Sequence, residues 1–192
     1  LDFAGQVEVE PAVQAAFDAT MARARAAGLT LETVRLDYDF GAMRRLGLLM
    51  SEAEGFVEHQ AMLAADPEGF TPGLRKLLTW GAEQPAWKLA KAYRELGEVA
   101  ARISEVLSPY EAVLMPTAPQ AAFAFETPAP ANQADFTALA DFLGLPATAF
   151  PVGMSPGGLP LSAQVMAWDD DVALGLAALL AVPVAAPPAF RG

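Results

Sequence analysis

Apolar residues recur along this chain at two spacings, and the switches between them divide it into elements. From Pro11 to Ala27, the residues Val13, Ala16, Phe17, Thr20, Met21 and Ala24 fall at intervals of three and four, one face of an amphipathic helix. Pro11 suits its first turn, where a missing N–H costs nothing, and Gly28 suits the position just past its end. Leu31 to Leu36 (LETVRL) then alternates apolar and polar residues, as a half-buried strand does. Helical spacing resumes from about Phe40 to Ala65, with an interruption or bend expected near Gly47 and Gly55. Residues 66–72 hold two prolines and a glycine and read as a loop. Leu74 to Trp80 reads as a short helix closed by Gly81. Trp87 to Leu107 gives the clearest helix: Leu89, Tyr93, Leu96, Ala100, Ile103 and Leu107 step along one face until Pro109 ends it.

Ala112 to Met115 is a short apolar run entering PTAP, the pattern of a buried strand that leads into a rigid loop. Residues 120–133, rich in Ala and Pro and without periodicity, read as a surface excursion. Asp135 to Leu143 reads as a helix with Asp135 at its N-cap, stopped by Gly144 and Pro146. Ala147 to Val152 and Leu159 to Ala167 read as strands joined by MSPGG. Asp169, Asp170 and Asp171 start a last helix within the apolar stretch Val172 to Phe190. Pro183, Pro187 and Pro188 break that stretch, and a bilayer span needs about 20 unbroken apolar residues, so it predicts a buried helix and a tail. Strands few in number and scattered among helices predict the α/β class with a mixed sheet, with no internal domain boundary and no repeat.

Composition sharpens this picture. Of the 192 residues, 54% are hydrophobic and 18% charged, where about 25% charged is usual. Such apolarity in a short chain predicts that some of its surface faces a partner or other chain segments. The net charge of −11 and the absence of any basic run argue against a nucleic-acid surface. With no cysteine there is no disulfide, thiolate metal site or cysteine nucleophile, which fits a reducing, cytoplasmic setting. The start, LDFAGQVEVE, has neither the basic region nor the apolar core of a signal peptide, and lacks an initiator Met, which favours a fragment or processed chain.

Several residues invite a chemical reading. Gly153 to Gly158 (GMSPGG) has the glycines of a phosphate cradle, but no helix carrying Lys or Thr follows, so a tight strand connection is the simpler reading. Glu54 and Glu58 share a helix face with His59 beside them, but the histidine points off that face and no second one exists. A solvated helix face explains them better than a metal site. Arg75, near Trp80 and Trp87, suits bidentate carboxylate recognition, against packing and surface ion pairs. Asp135 and Asp141 flank the short helix ending in Gly144, as caps or as substrate contacts. Thr117, where a strand meets a loop, could touch a ligand or bond to local backbone. Gln164 lies in an otherwise apolar strand and must find hydrogen-bond partners if buried, structural or in a pocket.

Taken in order, LETVRL, SEAEGF, TPGLRKLLTWG, KAYRE, AVLMPTAP, FTALADFLGLPATAFPVG, GLPLSAQ and the helix after DDD resemble the C-terminal block of the amidase signature family. The match extends over essentially the whole chain, and LMPTAP followed by LGLPATAFPVG and GLPLSAQ is its most specific part. Asp141 stands where the family usually has Asn, and Ser162 where it usually has Gly. The resemblance implies an α/β/α fold on a mostly parallel, mixed sheet, of which this chain would be an incomplete, C-terminal part of one domain. It also implies a serine nucleophile, activated through a second, cis-peptide serine by a lysine, with backbone amides holding the oxyanion. Both serines and the lysine lie upstream of this block in the family. None of Ser51, Ser104, Ser108, Ser155 or Ser162 has the glycine-rich double-serine context, so no catalytic residue carries over.

The expected function is that of the C-terminal part of a hydrolase cleaving non-peptide carboxamides, inactive alone. It would need no metal or organic cofactor. Its expected partners are the N-terminal part of its own domain, a small-molecule amide and a homo-oligomeric copy, with no nucleic acid and no membrane. A non-catalytic binding or scaffold subunit derived from the same fold is the alternative.

Overall fold

The computed structural model describes residues 1–184. The described residues form two compact units, residues 1–40 with those from 103 onward, and residues 41–102. Its elements are α1 (Pro11–Ala26), α2 (Phe40–Ala65), a 3₁₀ turn (Pro67–Gly69), α3 (Pro72–Ala82), α4 (Ala86–Leu107), β1 (Ala112–Pro116), α5 (Thr137–Leu143), β2 (Ala147–Met154), β3 (Pro160–Ala167) and α6 (Asp170–Leu180). This is the α/β class.

The first unit is built on a three-stranded sheet of order β1-β3-β2 in which both pairings are antiparallel. Among the described residues, parallel pairing is limited to an isolated bridge between Asp2 and Arg35. β3 holds the centre because it is buried almost throughout, with Ala163, Val165, Met166 and Ala167 each at most 2% exposed. β2 and β3 are joined by a turn in which Ser155 N–H donates to Leu159 O (2.7 Å), Leu159 N–H donates to Ser155 Oγ (3.1 Å) and Gly158 takes φ +76°. The simple reading of MSPGG as a strand connection therefore holds.

α1 buries Val13, Phe17, Thr20 and Ala24, the predicted stripe, and α6 buries Ala173, Ala177 and Leu180. Both pack on the sheet and on each other. Arg23 links them, its Nη2 donating to Thr20 Oγ1 (2.9 Å) and to Leu180 O (3.4 Å). α6 begins as expected, with Asp169 Oδ1 accepting the N–H groups of Asp171 (2.9 Å) and Val172 (3.3 Å). The predicted tail beyond Val184, with Pro187 and Pro188, lies outside the described residues.

Three local expectations change. LETVRL is not a strand: among the described residues its only ladder contact is the Asp2–Arg35 bridge, where Asp2 N–H donates to Val34 O (2.7 Å) and the Arg35 guanidinium pairs with the Asp2 carboxylate (3.2 Å). Without a partner of its own length, the segment runs extended and unpaired as a ladder. The alternation continues instead into Leu36, Tyr38 and Phe40, buried at 2%, 4% and 2%, with Asp37 and Asp39 exposed between them.

α2 runs unbroken through Gly47 and Gly55. In the second unit these helices approach closely: a Cβ on Gly55 would meet Leu78 Cδ2 at 3.1 Å, and one on Gly81 would lie 2.3 Å from the Glu52 carbonyl carbon. Gly81 is thus the penultimate residue of α3, where it admits the backbone of α2, and the C-cap is Glu83. The loop at 66–72 holds the 3₁₀ turn, where Asp66 Oδ1 accepts Gly69 N–H (3.1 Å), and Thr71 Oγ1 accepts Leu74 N–H (3.3 Å) to cap α3. Among the described residues, no helix is long and apolar enough to cross a membrane.

Candidate functional site

The sheet brings two of the predicted site residues onto one face. Gln164 on β3 pairs across with Met115 on β1 and Ala149 on β2. Thr117 follows β1, and its N–H donates to Ser162 O (3.1 Å), two residues before Gln164. Side chains two apart on a strand share a face, so Thr117, Met115, Ser162 and Gln164 lie together. Gln164 is 4% exposed. Its Nε2 and the Thr117 Oγ1 are sealed from solvent, and neither has a hydrogen-bond partner among the described residues. That is costly: a buried polar group left without a partner destabilises a fold by about 1–3 kcal/mol.

The same unit holds an aromatic cluster and a second group of polar side chains. Phe3 meets Phe17 and Phe136 at centroid distances of 5.8 and 5.0 Å, and Phe40 meets Tyr38 and Phe136 at 4.7 and 5.7 Å. Gln6 Nε2 donates to the carbonyls of Leu36 (3.0 Å) and Tyr38 (3.1 Å), which fixes its orientation and leaves Oε1 facing away from them. The segment after Gln6 is stitched to the Ala/Pro loop. Glu10 N–H donates to Pro119 O (2.8 Å), Ala121 N–H donates to Glu10 Oε2 (3.1 Å), and Asn132 Nδ2 donates to Glu8 O (3.2 Å). Tyr38 OH, Gln6 Oε1 and Gln120 Nε2 are buried without a hydrogen-bond partner among the described residues. Burial first, then the charges of Asp135 and Asp39, push the Tyr38 phenol far above the usual tyrosine range, so it stays protonated.

Asp135 is buried beside Phe136, but it is not the N-cap of α5. That helix starts at Thr137, Phe136 occupies the cap position, and no side chain caps it. Asp135 N–H instead donates to Asn132 O (3.0 Å), which ends the preceding turn. Asp141 is exposed on α5, and its carbonyl accepts Gly144 N–H (3.2 Å) where Gly144, at φ +64°, closes the helix. Arg75 belongs to the second unit and forms an ion pair with Glu68. Glu54 accepts a hydrogen bond from Tyr93 OH, His59 meets the Phe70 ring edge-on at 5.9 Å, and no group among the described residues is arranged to hold a metal. Tyr38 and Gln6 were missed from the sequence. The period-two burial of Leu36, Tyr38 and Phe40 was the signal that could have found the tyrosine.

Chemically, these side chains can donate and accept hydrogen bonds, but they hold no activated nucleophile. All three lysines and the single histidine lie in the second unit. In the first unit, the Ser155 hydroxyl is engaged in the β2–β3 turn and that of Ser108 donates to Glu105 O (2.9 Å).

Comparison with known proteins agrees with this architecture. A crystal structure of an amidase superposes with TM-score 0.81 at 22% identity, over 93% of this chain and 43% of that one. A bacterial aryl acylamidase of the amidase signature family superposes with TM-score 0.75 at 17% identity, over 92% of this chain and 41% of that one. At the sequence level, a glutamyl-tRNA(Gln) amidotransferase subunit of Granulibacter bethesdensis is 35% identical over 97 residues, 47% of this chain and 19% of that protein. The chain therefore spans well under half the length of these relatives. The sequence pattern of the amidase family matches residues 1–172, and the chain belongs to that family, the amidase signature enzymes.

Proposed function

We propose that this chain is the C-terminal portion of a single amidase domain that hydrolyses non-peptide carboxamides through an acyl-enzyme. The observation that carries the reading is a family match running from residue 1 to residue 172 while the chain spans only about two fifths of the solved family structures. The nucleophilic serine, its partner serine and the lysine would come from an N-terminal portion, and by itself this chain would be inactive. A hydroxyl needs a positioned base to become nucleophilic, and no serine here has the sequence context that supplies one.

In this reading the present chain contributes the face holding Thr117 and Gln164 to one side of the acyl pocket, and the same unit holds Asp135 and Tyr38. Sealed donors without acceptors suit a site completed by a polar group, since they cost least when that group is bound. Arg75 and Asp141 fit an ion pair and a helix end better than a substrate contact.

The test is to read the coding sequence upstream of Leu1 and to assay the purified chain on a panel of aliphatic and aromatic amides. An in-frame lysine followed by a glycine-rich double-serine segment, with no turnover by the chain alone, is the expected result. Turnover that copurifies with this polypeptide would overturn it.

A further inference from the structure

Leu1 and Asp2 bond to two different walls. The Leu1 ammonium donates to Leu114 O on β1 (2.9 Å), and the next residue, Asp2, donates its N–H to Val34 O (2.7 Å) in the parallel bridge with Arg35. Successive residues that bond to opposite neighbours mark the central strand of a sheet, whose peptide groups point alternately to either side. Leu1 and Asp2 thus fill one end of a strand position between β1 and the extended segment after Thr30.

That position is open beyond Leu1. Cavities of about 70 and 350 Å³ lie along it, between Thr30, Leu31 and Val34 on one wall and Tyr110, Ala112 and Leu114 on the other. The walls run in the same direction: back from Leu1, Val34 and Leu114 give way to Glu32 with Ala112, then to Thr30 with Tyr110. At the far end Tyr110 OH donates to Glu32 Oε2 (3.2 Å) and ties one wall to the other. Both walls also present backbone. β1 is an edge strand, and Thr117 N–H bonds to β3, so by alternation Ala112 and Leu114 turn their peptide groups to the groove. Val34, whose carbonyl accepts from Asp2, does the same from the other side, and so by alternation does Glu32. Two such edges are a template for one added strand. Burial pushes the Leu1 ammonium below its ordinary value of 8.0, so an uncharged peptide amide suits that position better.

We propose that this groove takes about four residues of extended chain directly preceding Leu1 in the parent polypeptide, as a strand parallel to both walls, about 13 Å long; this rests on the reading of the chain as the C-terminal portion of a longer domain. The occupant follows from where Leu1 sits. Its nitrogen already lies at the next position of the strand, so a covalent continuation fills the groove with no loop to close, whereas a separate chain would have to meet the cost of association. With the groove filled, LETVRL gains a ladder, the antiparallel sheet becomes a mixed one, and the N-terminal portion enters this unit beside β1, the strand that leads into Thr117.

The experiment is amide hydrogen exchange, read by NMR, on the 192-residue chain and on the same chain prolonged by about eight residues encoded directly upstream of Leu1. In the prolonged chain the Val34 and Leu114 N–H groups are expected to gain acceptors and to exchange roughly tenfold or more slowly. Prolines at the two added positions nearest Leu1 remove the amides that would donate to the Glu32 and Ala112 carbonyls, and should cancel that protection. Far-UV circular dichroism checks that each form keeps its fold. Unchanged exchange at both amides, or protection that the prolines leave intact, overturns the proposal. So does protection that appears in the unprolonged chain only as its concentration rises, which assigns the groove to a second copy. The hydrolase reading fails separately, on an upstream sequence without the lysine and the double serine, whatever these two amides do.

Discussion

Gly81→Ala adds one methyl group at the crossing of α3 over α2, and the geometry sets what that must cost. The new Cβ would lie 2.3 Å from the Glu52 carbonyl carbon, 2.4 Å from its oxygen and 2.7 Å from Ala53 N, all backbone atoms. Ordinary contact begins near 3.4 Å, so the helices must move apart by about 1 Å. Overpacking of this kind costs about 3 kcal/mol at the upper end of its usual range. Replacing glycine by alanine inside a helix returns about 1 kcal/mol. The net expectation is a loss of about 2 kcal/mol, roughly a 30-fold shift towards the unfolded form. Trp80 and Trp87 lie in the same unit and Trp168 in the other, so tryptophan fluorescence in a Trp168→Phe background reports on the unit in question. In urea, the midpoint should fall by about 1 M. Two other glycines calibrate the measurement. Gly55→Ala meets only the flexible end of Leu78 at 3.1 Å and should cost less, whereas Gly97→Ala meets nothing within 4 Å and should stabilise by up to about 1 kcal/mol. If Gly81→Ala proves as stable as Gly97→Ala, the close crossing does not exist in solution and the reasoning fails.

Two further substitutions probe electrostatics and capping. Burial pushes the Glu52 carboxyl above its ordinary value of 4.5, so the folded state holds this proton more tightly than the unfolded one. Its contribution to stability is fully present below pH 4.5 and is lost as pH rises through the folded value. Glu52→Gln should therefore flatten the pH dependence of the urea midpoint above pH 4.5 and be the more stable protein at about pH 7; a midpoint there below that of the parent would contradict this. Asp169→Ala removes the acceptor of two amide hydrogen bonds at the start of α6 and should cost about 1 kcal/mol, with Asp169→Asn losing less than half of that in the same denaturation assay.

What could be read from the chain and what could not separate along physical lines. α1 and α4 were legible because little besides a helix produces a long stripe at that spacing, and β2 and β3 because apolar runs sit between unmistakable turn residues. Glycine misled in α2 and α3. Its intrinsic cost inside a helix is about 1 kcal/mol, which argues for a break. Here the close approach at Gly55 and Gly81 outweighs that cost, and a propensity scale carries no information about which backbone comes near. LETVRL misled in the opposite way. Alternation reports which side chains are buried, not whether a neighbouring strand exists to complete a ladder, and here only one bridge forms among the described residues.

The same distinction applies to the candidate site. Gln164 stood out as a polar residue in an apolar strand, and the register of β1 against β3 explains why it matters: it brings Thr117 onto the same face. Asp135 was identified by residue type, but a capping role depends on the turn in which helix α5 begins, and a shift of one residue turned a cap into a buried carboxylate beside an aromatic cluster. Tyr38 could not be found from chemistry at all, because exposed aspartates on both sides make the segment look solvated. Only the burial of every second residue reveals it. The polar groups least visible in the sequence are thus those whose neighbours come from distant segments. Burial does most to raise the Tyr38 phenol, and the charge of Asp135, nearly a hundred residues away in sequence, adds to it. Such pairings between distant segments place the sheet face and the aromatic cluster in one unit, where a local pattern shows only their separate parts.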